Sequence, residues 1–204
     1  MFFTSLRKKL SIVKLVFATN NKHKVAEVKK LLPAGFELLT LSDIGCNDDL
    51  PETGNTFMDN AKQKARYIHD KYGYDCFADD SGLEVDALHG RPGVYSARYS
   101  GGNGNSADNI TKLLTELNQE EDRKARFRTV IALMLNGETH FFEGEIKGEI
   151  TLIARGANGF GYDPVFVPEG FHVTFAEMAP ELKNRISHRA IAVKKLAMFL
   201  SVKR

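Results

Sequence analysis

The residues best suited to chemistry fall in four polar clusters. Glu52, just after Leu50-Pro51, and Asp80, within Phe77-Ala78-Asp79-Asp80-Ser81-Gly82, are carboxylates from separate segments. Such a pair suits Mg2+, which takes oxygen ligands, keeps several waters and bridges to phosphates. In a strand, neighbouring side chains take opposite faces, so Phe77 and Asp79 would share one and Asp80 the other. Only one of the aspartates then needs to face a cleft. The run Thr19-Asn20-Asn21-Lys22-His23-Lys24 lies where a strand gives way to a helix, and free amides and the helix dipole favour an anion there. Lys24 would stand beside a bound phosphate, although the glycines of a Walker loop are missing. In Gly156-Ala157-Asn158-Gly159-Phe160-Gly161-Tyr162-Asp163-Pro164 the glycines permit close backbone approach, and the aromatics could stack on a planar base. Lys183-Asn184-Arg185-Ile186-Ser187-His188-Arg189 concentrates hydrogen-bond donors before the last helix. Singly these read as a solvated acidic turn, a polar turn, a loop with its aromatics in the core and a charged helix face. Jointly they supply metal, phosphate, base and donor sites, which is what a nucleotide enzyme needs.

Local periodicity indicates the elements that must hold these groups. Lys14 to Ala18 form a β-branched and aromatic run, then Val25, Val28 and Leu32 recur at helical spacing, and Phe36 to Leu41 offer a second strand. This βαβ order implies a partly parallel sheet. Thr56 with Asp59 resembles a capping box, followed by Phe57, Ala61, Ala65, Ile68 and Tyr72 on one helix face and Lys62, Lys64 and Arg66 on the other. Asp75 to Ala78 form a short strand running into the Asp79–Gly82 cluster, and Ser106 opens a helix with Ala107, Ile110, Leu114 and Leu117 inward. Arg126 to Leu135 and Thr139 to Ile150, joined by Asn136-Gly137, form a hairpin, because Asn-Gly tolerates the positive φ angles of a type I′ turn. Pro180 and Ser187 mark helix starts near the end of the chain. The order predicts two lobes with a cleft between them.

The 204 residues allow one large domain, and 43% hydrophobic with 26% charged residues supports a real core. A net charge of +2 gives no reason to expect nucleic-acid binding, so any anion site must be local. Cys46 and Cys76 form no CxxC or Cys/His cluster and are expected to be reduced thiols. The longest apolar run, Val130 to Leu135, is far short of the ~18–20 residues that span a bilayer. Lys14 interrupts the apolar stretch after Arg7, Lys8 and Lys9, and Thr19-Asn20-Asn21 is a poor cleavage site. The expectation is a cytoplasmic protein with no membrane partner.

The strings LVFATNNKHK, FADDSGLEVDALHGRPGVYSARYSG, GFGYDPVFVPEG and TFAEMAPELKNRISHRA, in that order, resemble the inosine triphosphate pyrophosphatase family, also called dITP/XTP pyrophosphatases. The likeness runs from Lys14 to the last helix, leaving an N-terminal extension, 1–13, before a single two-lobed domain, 14–204. The resemblance implies an α/β fold whose elongated mixed sheet forks into two lobes with flanking helices and a nucleotide cleft between them. It also implies a Mg2+-dependent homodimer that hydrolyses ITP, dITP and XTP to monophosphate and pyrophosphate, cleansing the nucleotide pool. Position by position, it implies Thr19, Asn20, Asn21, Lys22, His23 and Lys24 as the first nucleotide-binding loop. Glu52 would be a metal ligand, Asp80 a metal ligand and proton acceptor, and Ser81 a substrate contact. Phe160, Gly161, Tyr162 and Asp163 would bind the base, with Lys183, His188 and Arg189 as the remaining substrate contacts. Two rivals stay open: a non-catalytic purine-nucleotide-binding regulatory module, and a housecleaning nucleotidase with another base preference. Glu52 and Asp80 weigh against the first, since a sensor has no need of a water-activating carboxylate.

Overall fold

β1 (Val13–Phe17) leads through the polar turn into α1 (Lys22–Lys29), and β2 (Phe36–Leu39) returns parallel to β1, closing the expected βαβ unit. The computed structural model describes residues 12–32, 35–101 and 105–202, so most of the expected extension lies outside the described residues. β1 starts one residue before Lys14, because Val13 pairs with Phe36, and β2 stops short of Leu41, which is buried at the entry to a 3-10 turn. Thr56 caps α2 (Phe57–Tyr72), accepting from the Asp59 amide, and Gly73, at φ 70°, ends it.

β3 (Cys76–Val85) is longer than the short strand expected at Asp75 to Ala78: it carries the Asp79–Gly82 cluster within it, and of the two readings of that cluster the turn is excluded. Its ladder with β4 (Lys124–Leu135) runs unbroken from Cys76 opposite Met134 to Val85 opposite Ala125. Backbone pairing on this side, with cations facing both aspartates, outweighs the turn preference of the Asp-Asp-Ser-Gly string. The hairpin to β5 (Glu138–Ile150) is as expected, with Asn136 at φ 51° and Gly137 at φ 81°. β6 (Phe166–Pro168) completes a six-stranded mixed sheet in the order β2-β1-β3-β4-β5-β6. α3 (Ser106–Glu116) packs Ile110, Leu114 and the following Leu117 into the core as expected; Asn109 and Leu113 are buried beside them, and of the expected face only Ala107 is exposed. Asn109 ties down the preceding loop, accepting from the Ser100 amide at 2.7 Å and donating to the Ala97 carbonyl at 3.1 Å. α4 (Pro180–Ile186) and α5 (His188–Val202) end the chain, starting at Pro180 and just after Ser187. No helix among the described residues is long and apolar enough to cross a membrane.

The core has three parts, and their meeting place is the site. Val16, Ala78 and Ala132 pack on one sheet face against Ala61, Ala65 and Ile68 of α2. Leu15, Phe17, Phe77 and Ile131 pack on the other against Val193 and Leu196 of α5. Farther along the same long strands, Leu83, Val85, Ala125 and Phe127 join Phe166, Phe175 and Leu113 in the second lobe. Asp79, Asp80, Ser81 and Thr129 occupy the handover between these cores.

Candidate active site

A cleft of about 430 Å³ opens at that handover. It is lined by the expected residues except Lys22, which is exposed outside it, and His23, which instead stacks on Phe160 with ring centroids 5.2 Å apart. Residues of all four polar clusters meet in the cleft, but the cluster at the start of α1 differs in detail. Asn21 caps α1 by accepting from the amides of His23 and Lys24, at 3.0 and 3.2 Å. Positive charge at this end therefore comes from the Lys24 side chain rather than from those amides.

Asp80 faces α2, and Asp79 faces α1 and α5, as strand alternation requires. Asn60 and Lys64, one helical turn apart on α2, both reach Asp80. Asn60 Nδ2 donates to Asp80 Oδ2 at 3.0 Å, while its Oδ1 accepts from the Gly54 amide at 2.8 Å. Lys64 Nζ donates to Glu52 Oε1 at 2.5 Å and to the Asp79 carbonyl at 2.7 Å, and lies 3.4 Å from Asp80 Oδ1. Lys64 thus corrects the exposed face assigned to it: it is only 4% exposed, while Lys62 and Arg66 do face solvent. Its position among Phe57, Ala61, Ala65 and Ile68 was the available signal, since those spacings share one helix face. Burial drives the Asp80 carboxyl above the usual carboxylate range, against the pull of Lys64 and Lys24. Burial acts the same way on Glu52, but Lys64 reverses it and holds that carboxyl below its ordinary value.

These two carboxylates share one ammonium, so they converge on one space lined by oxygen donors. Among the described residues no group of three or more His, Cys, Asp or Glu side chains is placed to hold a metal. A cation at Glu52 and Asp80 would draw its other ligands from water and substrate, the mode of binding Mg2+ favours. The donor set therefore fits that ion.

The opposite wall is a buried ion-pair network. Asp79 accepts from Lys24 Nζ at 3.0 Å, Arg189 Nε at 3.1 Å and Ser81 Oγ at 2.9 Å. Glu27 of α1, which the sequence reading missed, accepts from both Lys183 Nζ and Arg189 Nη1. It is the one acidic residue in the basic stretch Lys22–Lys30, its only outward sign. Lys183 also donates to Asp163 Oδ2 at 2.6 Å, an oxygen that accepts the Phe160 amide as well. Gly159 makes that turn possible, because a Cβ there would lie 2.0 Å from Asp163 Oδ2. The Tyr162 hydroxyl is turned inward, donating to the Ser96 carbonyl at 2.9 Å. Phe160 keeps its ring at the cleft with Lys183 Nζ 4.8 Å from the centroid.

A sequence model of the Ham1 family matches residues 15–199. The chain belongs to the Ham1 family. It is 54% identical over 189 residues to a dITP/XTP pyrophosphatase of Flavobacterium johnsoniae, covering 93% of this chain and 98% of that one. With a dITP/XTP pyrophosphatase of Christiangramia forsetii it shares 55% identity over 189 residues, covering 93% and 100%. The solved structure of the Staphylococcus aureus Ham1 protein matches with a TM-score of 0.86 at 40% identity, covering 94% of this chain and all of that one. The kinship drawn from the four sequence strings therefore holds, and so does the mixed α/β fold.

His188 is a buried titratable group of this Ham1-family cleft. Burial, then Arg189 and Lys183, push its pKa well below the ordinary histidine value, while its ring stacks on Phe127 at 4.7 Å and its Nδ1 is buried without a partner. The unfolded chain takes up a proton near pH 6.5 that the folded one refuses, so stability falls as pH drops below that point, by at most ~1.4 kcal/mol per unit. Replacing His188 by Phe should remove that part of the slope, narrowing the loss between pH 7 and pH 5 by up to about 2 kcal/mol. Urea unfolding at the two pH values measures it; identical slopes in both proteins would show that His188 accepts the proton in place.

Proposed function

We propose that the protein is a nucleoside-triphosphate pyrophosphatase that uses Mg2+ to hydrolyse the deaminated purine nucleotides ITP, dITP and XTP to monophosphate and pyrophosphate. The observation that carries this reading is one cleft with a raised-pKa carboxylate, Asp80, on one wall and an aromatic ring with buried donors on the other. The names of the Flavobacterium and Christiangramia relatives support it. In the reaction a water oxygen bonds to the α-phosphorus as the bond to the bridging oxygen breaks, and that electron pair leaves with pyrophosphate. Asp80 accepts the proton of the attacking water; its elevated pKa suits a general base. Glu52 and Asp80 would hold Mg2+, which when bound neutralises phosphate charge and favours ionisation of water. Charge balance supports the metal: Lys24, Lys64, Lys183 and Arg189 each already face a carboxylate, which leaves little of their charge for a triphosphate.

Selectivity follows from donors. Lys183 and Arg189 have no acceptor to offer a 6-amino group, whereas the 6-oxo group of hypoxanthine or xanthine accepts. Lys183 gives two bonds to Glu27 and Asp163, which leaves a third N–H for substrate. The test is a panel of ITP, dITP, XTP, GTP and ATP, with and without Mg2+, scored separately for pyrophosphate and orthophosphate. The expected result is pyrophosphate from ITP and XTP with kcat/KM on the order of 10²-fold above ATP, abolished by chelation. Orthophosphate as the product, or equal turnover of ATP, would remove this reading. The homodimer and the cytoplasmic location belong to the same proposal.

A further inference from the structure

Resting on the pyrophosphatase reading, we propose that Arg98 is a substrate-touching residue that grips the β- and γ-phosphates and stabilises the departing pyrophosphate. Arg98 ends the 3-10 helix Gly93–Arg98 and lines the cleft on the side of Glu52. What sets it apart is how little binds it. The side chains of Lys24, Lys64, Lys183 and Arg189 are 3–13% exposed and sit 2.5–3.1 Å from carboxylate oxygens. Arg98 is 40% exposed, and its Nη1 is 3.8 Å from Glu52 Oε2. Among the described cleft residues it is the cation with most of its donors free to meet a new anion.

Its backbone, by contrast, is firmly mounted. Ser96 Oγ accepts the Leu83 amide at 2.9 Å and donates to the Gly93 carbonyl at 2.6 Å, and the Ser96 carbonyl accepts the Tyr162 hydroxyl. Gly82 makes this close approach possible, because a Cβ there would come within 2.3 Å of the Gly93 carbonyl oxygen. The guanidinium rests over the Tyr95 ring, 5.3 Å from its centroid. A fixed base carrying a long, partly solvated arm suits a group that must capture a flexible triphosphate tail.

The chemistry calls for such a group. When the α-phosphorus–oxygen bond breaks, the electron pair settles on the β-phosphate oxygen, and Asp80 has taken the proton of the incoming water. The new negative charge lies on the leaving group, which Asp80 cannot stabilise. A guanidinium presents paired N–H donors that match phosphate oxygens and keeps its charge throughout.

The experiment uses the full chain with Arg98→Ala and Arg98→Lys, comparing ITP turnover with inhibition by pyrophosphate and by inosine monophosphate. Arg98→Ala should lower kcat/KM for ITP and weaken pyrophosphate inhibition, each by roughly 10- to 100-fold, while inhibition by the monophosphate changes less than about twofold. Arg98→Lys should recover part of both losses. Calorimetric binding of Mg2+-pyrophosphate to the protein without nucleotide should show the same order of effect. Unchanged pyrophosphate binding in Arg98→Ala, or equal loss for pyrophosphate and monophosphate, overturns the assignment. If Arg98→Ala fails to fold, Arg98→Gln replaces it under the same criteria. A wild-type protein that releases no pyrophosphate from ITP would instead refute the pyrophosphatase reading, and the calorimetry would still decide whether Arg98 binds pyrophosphate.

Discussion

Asp80→Asn should lower kcat for ITP by at least ~10²-fold at saturating Mg2+, the lower scale for a positioned acid–base group. The substitution keeps the shape and removes the basicity. The new amide can turn its oxygen toward Asn60 Nδ2, which now donates to Asp80 Oδ2, but its NH2 must then face Lys64 Nζ, so the site loses both its base and a partner for that cation. Folding stability should change little or rise, because burial already penalises the Asp80 carboxylate. Steady-state kinetics together with thermal unfolding checks both parts. A kcat close to wild type would eliminate Asp80 as the base, and a collapse of stability would show that the kinetic loss reports misfolding.

Arg189→Met should be the most destabilising single change at the site. Arg189 is 2% exposed and bridges Asp79, Glu27 and Ser81, tying β3 to α1 and α5. Asp79 is 1% exposed, so removing the guanidinium strands buried negative charge on Lys24 and Lys183 alone. Breaking one side of such a buried pair costs ~3–5 kcal/mol. At ~2–4 °C per kcal/mol for a chain of this size, Tm should fall by roughly 6–20 °C. The pH dependence has a definite sign. Burial would raise the Asp79 carboxyl, but Lys24 and Arg189 hold it well below its usual range. A carboxyl depressed in the fold stabilises above its unfolded pKa of ~3.9 and loses that contribution as pH falls through its folded value. The gap between wild type and Arg189→Met should therefore be full at neutral pH and shrink in strong acid. A loss below ~1 kcal/mol at pH 7 would place the network among weak surface pairs instead.

What the amino-acid sequence determined by itself was local in origin. Asn136-Gly137 sets the hairpin because both residues take positive φ. Thr56 and Pro180 start helices through capping and ring geometry, and strand alternation alone separates Asp79 from Asp80. The four strings also placed the chain in its family and marked most of the cleft lining. Tertiary structure decided the rest. The strand expected to stop at Ala78 runs on through Asp79–Gly82 to Val85, because pairing with β4 is supplied from about fifty residues away. Lys64 is buried rather than solvated because Glu52 and Asp80 meet over it, and Glu27 joins the site only by reaching Lys183 and Arg189, which lie 156 and 162 residues farther on. Arg98 differs from its fellow cations in its freedom, which residue type cannot show. Turn chemistry and helix or strand period act between near neighbours and leave their mark in the string. A charge's burial depends on which distant groups arrive beside it, so its role becomes visible only once the chain has closed on itself.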